Sequence, residues 1–425
     1  MKITSFFHRL IYPMLLFCCF AITLHPVFKS LSLLLLFITL VGSLEIKKVK
    51  LKQKFWSFYN PYTILLSLYL LYCIGIFHTT NLQYGLEDLQ IKLPLFILPF
   101  LMLFVPKELL VKEKLWHYAV AFILGLVMIM IYLVIAGFTK AIAGETFEIR
   151  HLHYSALSGK LGVTPAYMAL AITVSIMLLC KMPLVNIFKI KPLWSRIIKA
   201  CALGFLTLFL LFLRSRAGLL CFAVVNITIL IDDIMHKKMY LLLLSLIYIV
   251  TVIVAVVNIS VLNSRYKVAN DSNTTKSVKI AGSTMERQAI YTQYPKLFLS
   301  NLPFGVGTGD TKTEITNLAK QEGIGLGLYL NAHNQFLQTG IAIGTPGLAA
   351  LLWLHLLFVI KFWNKRQWWL ISLIAISGIS MMFESMLERQ QGVHYFVFLI
   401  CFLAPLVTKG KTNYSEGSSA LSTEE

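Results

Sequence analysis

Residues 203–230 read LGFLTLFLLFLRSRAGLLCFAVVNITIL, and this stretch decides how the chain crosses a membrane. It can form one overlong helix that encloses Arg214 and Arg216, or two short helices that meet at RSRAG (214–218). Two arginines in mid-membrane would each cost roughly 2.5 to 3.5 kcal/mol. A single helix would also move the basic connector at 361–367 to the outside, against the positive-inside rule. We therefore predict a hairpin with its tip at the outer face.

The composition agrees with a chain that lies mostly in a membrane. Of 425 residues, 57% are hydrophobic and 13% are charged, and the mean hydropathy is +0.74; these values exclude a soluble globular protein. The net charge of +19 would suggest nucleic-acid binding in a soluble protein. Here, most lysines and arginines lie in short connectors, where they orient spans and contact anionic lipid. All seven cysteines lie in apolar runs, so we expect neither a disulfide framework nor a thiolate metal site.

Apolar runs long enough to cross the hydrocarbon core predict an all-α polytopic fold, with twelve spans and both termini on the same side. More than half of the 38 basic residues fall on that side, which the positive-inside rule makes cytoplasmic. The first run has the charged start of a signal peptide but lacks a small-x-small cleavage site, so we expect an uncleaved helix. The predicted spans lie near residues 8–25, 27–44, 55–77, 90–106, 116–139, 161–181, 198–213, 217–231, 239–260, 334–360, 368–383 and 392–408.

These spans divide the chain into four parts. Residues 1–260 hold the first nine spans, and 261–332 form a large outer loop with short helices. Residues 333–408 hold the last three spans, and 409–425 form a polar cytoplasmic tail that we expect to be disordered. Because the distinctive polar segments collect at the outer face, we expect the functional site there. The other outer segments are RHLHYS (150–155), RSRAG (214–218) and ESMLERQQG (384–392).

The large outer loop contains GSTMERQAIYTQYPKLFLSNLPFGVGTGD (282–310). A capping-box pattern at its start predicts a helix that ends at Pro295, with Arg287 in the first turn and Tyr291 on the same face. Unpaired N–H groups and a guanidinium both suit phosphate oxygens, so this helix start is a candidate anion site. The alternative is that Arg287 pairs with a local carboxylate. FGVGTGD (304–310) follows no predicted strand and opens no clear helix, so we interpret it as a turn and not as a nucleotide loop.

Histidines are the candidate bases and metal ligands. His333 begins the tenth span and can be capped by Asn331; the positive end of the helix disfavours imidazolium, which leaves a neutral ring able to act as a base. A structural role at the membrane interface is the alternative. His151 and His153 form an H-x-H pair, but no third ligand lies at a usable spacing, so we predict no metal site.

Other charges break the apolar pattern at the outer face. Arg214 and Arg216 must be satisfied at the hairpin tip by lipid headgroups, by carboxylates or by a ligand. Glu384, Glu388 and Arg389 lie between the last two spans, and ionisable residues at membrane depth are either functional or paired with one another. For these five residues, a functional role and a structural pairing with lipid headgroups or other charges both stay open.

The order of these features resembles the O-antigen ligase and O-antigen polymerase superfamily of bacterial glycan-assembly enzymes. The ligase pattern has His, then Asn, Ser or Gln, nine residues, Gly, two residues, and then Gly, Thr or Tyr. This chain supplies His333, Asn334, Gly344 and Gly347 within HNQFLQTGIAIGTPG (333–347).

Two arginine positions extend the resemblance. Ser215 and Arg216 resemble a Ser-Arg motif just outside a span, and Arg287 resembles a second motif ahead of a Pro-x-Gly-x-Gly stretch, here PFGVG (303–307). The twelve predicted spans and the large loop before a late span also resemble the family layout. The resemblance therefore covers most of the chain.

The resemblance implies a lipid-donor glycosyltransferase-type fold. It also implies an inverting, metal-independent and cofactor-free transfer from an undecaprenyl-diphosphate-linked glycan. Arg216, Arg287 and, as a third candidate, Arg214 would stabilise the diphosphate leaving group. His333 would deprotonate the acceptor hydroxyl. The residues expected to support the site are Asn334, Tyr291, Glu384 and Arg389.

Three functions stay open on the sequence. The first, favoured by the complete His-Asn pattern, is a ligase that joins the glycan to lipid A-core at the periplasmic face of the bacterial inner membrane, in contact with membrane lipids and not with nucleic acid. The second is an O-antigen or exopolysaccharide polymerase of the same superfamily. The third is a transporter of lipid-linked sugars, for which inverted repeats and charged midplane residues would be expected. No repeat is visible, and the charges cluster at one face.

Overall fold

The computed structural model describes residues 2–43, 57–142, 164–213, 215–235, 249, 291–321 and 331–408. Within these residues the chain is helical and contains no strand, so the predicted all-α fold is confirmed. The helices are α1 (Lys2–Ala21), α2 (Pro26–Ser43), α3 (Pro61–Ile74), α4 (Leu82–Lys92), α5 (Pro94–Met102), α6 (Lys112–Ile142), α7 (Pro165–Lys181), α8 (Leu184–Phe188), α9 (Pro192–Leu213), α10 (Arg216–Met235), α11 (291–300), α12 (Thr311–Gln321), α13 (Gln335–Asn364), α14 (Trp368–Phe383) and α15 (Gln390–Thr408). Short 3-10 turns cover Gly75–His78, Lys107–Leu109 and Met386–Glu388.

Several of these helices can cross a bilayer. Among the described residues, eight are long and apolar enough to do so, namely α1, α2, α3 with its 3-10 extension, α6, α9, α10, α13 and α15. Two more apolar helices, α7 and α14, have 17 and 16 residues, close to the length that a tilted or snorkelling span needs. The chain is therefore a polytopic membrane protein.

Two predicted spans are not among these helices. The run at 239–260 lies outside the described residues, apart from the isolated position 249. The run at 90–106 contains α5, which has nine residues and Pro at its first position. At 1.5 Å per residue, α5 is about 14 Å long, so it cannot cross the hydrocarbon core by itself.

The predicted division of this run into two helices at RSRAG is confirmed. Helix α9 ends at Leu213 and α10 begins at Arg216; between them, the Ser215 hydroxyl accepts the Gly218 N–H at 3.1 Å and caps α10. A Cβ on Gly218 would overlap the Ala169 side chain, so glycine allows α10 to approach the start of α7 closely. The first turn of α10 therefore lies level with the first turn of α7.

Helix α13 is broken in the middle of its apolar run. Ile343 and Gly344 have non-helical main-chain angles, and Gly344 has a φ of 69°, a conformation that glycine adopts without strain. The Pro303 carbonyl enters the break and accepts the Thr345 N–H at 2.9 Å. A Cβ on Gly344 would overlap that carbonyl oxygen. The break is therefore built around a glycine of the ligase-like pattern.

Helix α15 lies at the centre of the bundle, because every residue from Gln391 to Pro405 is buried. Its start follows the 3-10 turn that connects it to α14. The core of the protein therefore holds the 384–389 connector in place, and this connector forms one wall of the candidate site.

Candidate active site

His333 precedes α13 in an unusual main-chain conformation. Its φ is 45°, in the left-handed region that is uncommon for residues other than glycine. Asn331 Oδ1 accepts the His333 N–H at 3.0 Å, and the Asn334 side chain caps α13 by accepting the Leu337 N–H at 3.1 Å. Two asparagines thus hold the turn that presents the His333 ring.

A carboxylate faces this ring. His333 Nδ1 lies 3.7 Å from Glu384 Oε2, too far for a hydrogen bond but close enough for an ion pair. A carboxylate on this side favours the tautomer with its proton on Nδ1, which leaves Nε2 as a proton acceptor. The two side chains are 21% and 28% exposed, while both ring nitrogens are shielded from solvent. The pair therefore has the arrangement of a base beside an orienting carboxylate.

Main-chain hydrogen bonds fix the position of Glu384 at the start of the connector 384–389. The Glu384 N–H donates to the Ser380 carbonyl at the end of α14, and the Glu384 carbonyl accepts the Met386 N–H at 2.9 Å. The Tyr167 hydroxyl of α7 reaches the Ser385 carbonyl at 3.5 Å. The connector is therefore fixed from two helices.

Arg389 lies on the same connector as Glu384, and both are within electrostatic range of Tyr167. Mutual pairing of the connector's charges was one interpretation of the sequence. Glu388 instead pairs with Lys92, at 2.8 Å, and Arg389 makes no ion pair with a carboxylate of the described residues within 4 Å. Arg389 is exposed, so a substrate can reach its guanidinium.

Tyr291 links the loop at 261–332 to the end of α14, next to Glu384. Its hydroxyl donates to the Met382 carbonyl at 3.1 Å, two residues before Glu384 in the sequence. Residues 291–300 are all helical, so the predicted end of this helix at Pro295 is wrong. A proline removes one main-chain hydrogen bond but leaves the later ones intact, and Leu297 and Phe298, beyond the proline, pack against the small core around Tyr294.

Arg216 is the first residue of α10 and is exposed. One turn further on, the Cys221 thiol lies 3.5 Å from the Ser380 hydroxyl of α14. Because Glu384 follows Ser380 by one turn, Arg216 and Glu384 lie at the same end of the antiparallel pair α10 and α14. The start of α10 adds unpaired N–H groups and a positive dipole end to the arginine charge.

Other predicted residues fall outside the part of the chain that the structure describes. Arg214, Arg287 and the whole of the predicted capping box are among them, as are His151 and His153. Arg214 precedes the α10 cap Ser215, and Arg287 precedes Tyr291 by four residues. The sequence neighbours of both arginines thus lie at the face that carries His333.

The segment FGVGTGD forms a turn, as predicted, and its N–H groups are used internally. The Val306 and Gly307 N–H groups donate to the Ile341 and Ala342 carbonyls of the broken helix, at 2.8 and 3.0 Å. These N–H groups cannot also cradle a phosphate. The expectation that no helix follows is wrong, because α12 begins at Thr311. The helix was missed because its residues are mostly polar, although Thr311, Ile315 and Ala319 are buried at four-residue spacing.

Asp310 fastens this turn to the start of α4. Its carboxylate accepts the Thr80 N–H at 2.7 Å, the Thr80 hydroxyl at 2.8 Å and the Asn81 N–H at 2.9 Å. Partial burial acts to raise the pKa of Asp310, but these hydrogen bonds outweigh it and hold that pKa below its ordinary value. The turn at 304–310 is therefore anchored by a charged cap.

A buried group of charges near the site was missed by sequence reasoning. Lys92 is fully buried and pairs with Asp88 and with Glu388 of the connector. The signal was present, because Asp88 and Lys92 are four residues apart at the edge of an apolar run, where unneeded charges are rare.

Part of the chain matches a known protein family. The sequence model of the family described as O-antigen ligase matches residues 201–352. This range contains Arg216, His333, Asn334 and Gly344, and it ends before Glu384. A comparison with curated proteins finds no significant match. Residues 201–352 thus match the O-antigen ligase family, and this match supports the resemblance of the chain to the O-antigen ligase and O-antigen polymerase superfamily.

Proposed function

We propose that the chain is a ligase that transfers a glycan from undecaprenyl diphosphate to a hydroxyl group of lipid A-core, at the periplasmic face of the bacterial inner membrane. The observation that carries the proposal is the approach of Glu384 Oε2 to His333 Nδ1, at 3.7 Å. His333 belongs to the matched ligase domain. An imidazole beside a carboxylate at a membrane surface suits activation of a hydroxyl nucleophile.

The proposed reaction is a single displacement. The acceptor oxygen forms a bond to the anomeric carbon while the bond between that carbon and the diphosphate oxygen breaks. His333 Nε2 takes the proton of the hydroxyl group, and the electron pair of the broken bond leaves with undecaprenyl diphosphate. Attack opposite the leaving group inverts the anomeric configuration. General base catalysis of this kind contributes about 10² to 10⁴-fold, and Glu384 stabilises the imidazolium that forms.

The leaving diphosphate needs positive charge. Arg216 supplies it at the start of α10, where the helix dipole adds to the guanidinium. Arg287 and Arg214 are proposed to complete this anion site, so that neither a metal ion nor an organic cofactor is needed. Arg389 is a further candidate contact to the substrate, because it is exposed on the same connector as Glu384.

The test is the lipopolysaccharide profile of a strain that lacks this chain, complemented with the wild type or with His333→Ala. A ligase predicts core without O-chains, accumulation of lipid-linked polymer, and rescue by the wild type alone. Core that carries a single repeat unit would instead establish a polymerase. An unchanged profile would contradict both assignments to lipopolysaccharide.

A further inference from the structure

The buried charges at Lys92 belong to a closed ring of polar contacts beneath the proposed catalytic pair. Lys92 Nζ donates to Glu388 Oε1 at 2.8 Å and lies 4.7 Å from the centre of the Tyr72 ring. The Tyr72 hydroxyl is 3.1 Å from the Thr339 hydroxyl. Thr339 in turn accepts the Gln335 Nε2–H at 2.9 Å. The ring thus runs from α4 through α3 to the first turn of α13.

Gln335 closes the ring. Its Oε1 accepts the Leu387 N–H at 2.6 Å, and Leu387 precedes Glu388 in the connector. Gln335 and Thr339 are 0% exposed, as is Lys92. Inside a protein such contacts are strong, and losing one partner leaves the other unsatisfied. The ring therefore has one favoured geometry.

The ring holds both members of the catalytic pair. Gln335 follows His333 by two residues, at the start of α13, and Glu388 follows Glu384 by four residues on the connector. The ring thus fixes the start of α13 against the connector. We propose that Lys92 is a positioning residue, which sets the distance between His333 and Glu384 through this ring without contacting the substrate. This inference rests on the proposed function.

The charge of Lys92 is what the ring requires. Asp88 and Glu388 bring two carboxylates to one ammonium group, and the Tyr72 face adds a cation–π contact. Removing the ammonium group would leave two carboxylates without a cation, and such groups are strongly disfavoured in a buried place. The connector would then move away from α13.

Lys92→Met tests this directly. We expect kcat for glycan transfer to fall by about 10²-fold, as for a misplacement of about 1 Å, with KM for the donor little changed. Thr339→Val breaks the ring with a side chain of the same shape, so it should cause a smaller loss of kcat in a folded protein. Lys181→Met is the matched control, because Lys181 pairs with Asp232 at the opposite end of α7 and α10. It should lower thermal stability while kcat stays within about twofold.

A second measurement does not depend on activity. Cysteines introduced by His333→Cys and Glu384→Cys, with the exposed Cys201 replaced by Ser, should be joined by a short bifunctional thiol reagent, because the tips of the two native side chains lie 3.7 Å apart. Adding Lys92→Met or Thr339→Val should reduce the yield, and adding Lys181→Met should not. Unchanged cross-linking, or unchanged kcat in folded Thr339→Val, would overturn the proposal. If the wild type transfers no glycan, the proposed function fails, and cross-linking alone still decides the role of the ring.

Discussion

At the scale of single residues, the candidate site depends on how His333 is presented. A left-handed φ at a residue other than glycine is maintained only where the surroundings enforce it, and here Asn331 and Asn334 supply the hydrogen bonds that do so. Glu384 then faces one ring nitrogen. The sequence motif predicted His333 and Asn334, but Glu384 lies 51 positions away from His333. No local pattern could have paired them.

Glu384→Gln removes the charge that faces His333 and keeps the size of the side chain. We expect kcat to fall by about 10- to 100-fold, as for other partners that orient an imidazole, because the imidazolium formed during transfer loses its counter-ion. Glu87→Gln is the matched control at the same face, since Glu87 is exposed on α4. Transfer rates of the purified variants check this. Full activity of Glu384→Gln would remove Glu384 from the mechanism.

At the scale of elements, the broken helix explains why glycines accompany the histidine in the motif. Carbonyl groups freed in a membrane must find partners, and the turn at 303–308 provides them through Val306 and Gly307. The sequence motif identified the glycines but did not predict the break. The run that forms α13 is apolar throughout, and in it Gly344 resembles an ordinary helical residue. The break depends on Pro303, which is distant in sequence and whose carbonyl enters it.

Gly344→Ala tests the break. A side chain there would adopt a φ of 69° and overlap the Pro303 carbonyl, so we expect a loss of at least about 2 kcal/mol of stability, together with loss of activity. Gly204→Ala is the control, because nothing lies within 4 Å of its added Cβ in α9 and alanine favours a helix by up to about 1 kcal/mol. Thermal unfolding in detergent compares them. Equal melting temperatures would contradict the role of Gly344.

The charged cap at Asp310 gives the turn at 304–310 a defined pH dependence. A carboxyl whose pKa is lower in the folded than in the unfolded protein stabilises the fold above its unfolded pKa of about 3.9. That stabilisation is lost as the pH falls through the folded pKa. We expect Asp310→Asn to melt at a lower temperature than the wild type at neutral pH, with the difference shrinking as the pH falls below about 4. Melting curves measured across this pH range test the prediction. A difference in melting temperature that stays constant with pH would contradict the role of Asp310 as a charged cap.

At the scale of the whole molecule, the hydrophobic runs predicted most of the architecture. The hairpin at RSRAG was predicted because arginines are costly at mid-membrane, and the structure divides the run into two helices there. Two features did not follow from hydropathy. The short helix α5 is apolar enough to count as a span, but prolines limit its length. Lys92 was overlooked because its partner Glu388 is 296 positions away, and only the packing of α4 against the connector brings them together.

The orientation of the bundle is a prediction of the charge distribution. Tyr291→Cys, at a site that is 50% exposed and whose native hydroxyl reaches the Met382 carbonyl near Glu384, should react with a membrane-impermeant thiol reagent on intact spheroplasts. Arg366→Cys, in the basic connector between α13 and α14, should react only after permeabilisation. Both variants carry Cys201→Ser. Labelling in the reverse pattern would place the candidate site in the cytoplasm and would contradict the periplasmic assignment.

His333 is the proposed base of a glycan transfer. The most direct test compares purified wild type and His333→Ala in detergent, with an undecaprenyl-diphosphate-linked glycan as donor and lipid A-core as acceptor. We expect the wild type to form glycosylated core, and the folded variant to be slower by about 10² to 10⁴-fold. Equal rates for the two proteins would show that His333 is not the base.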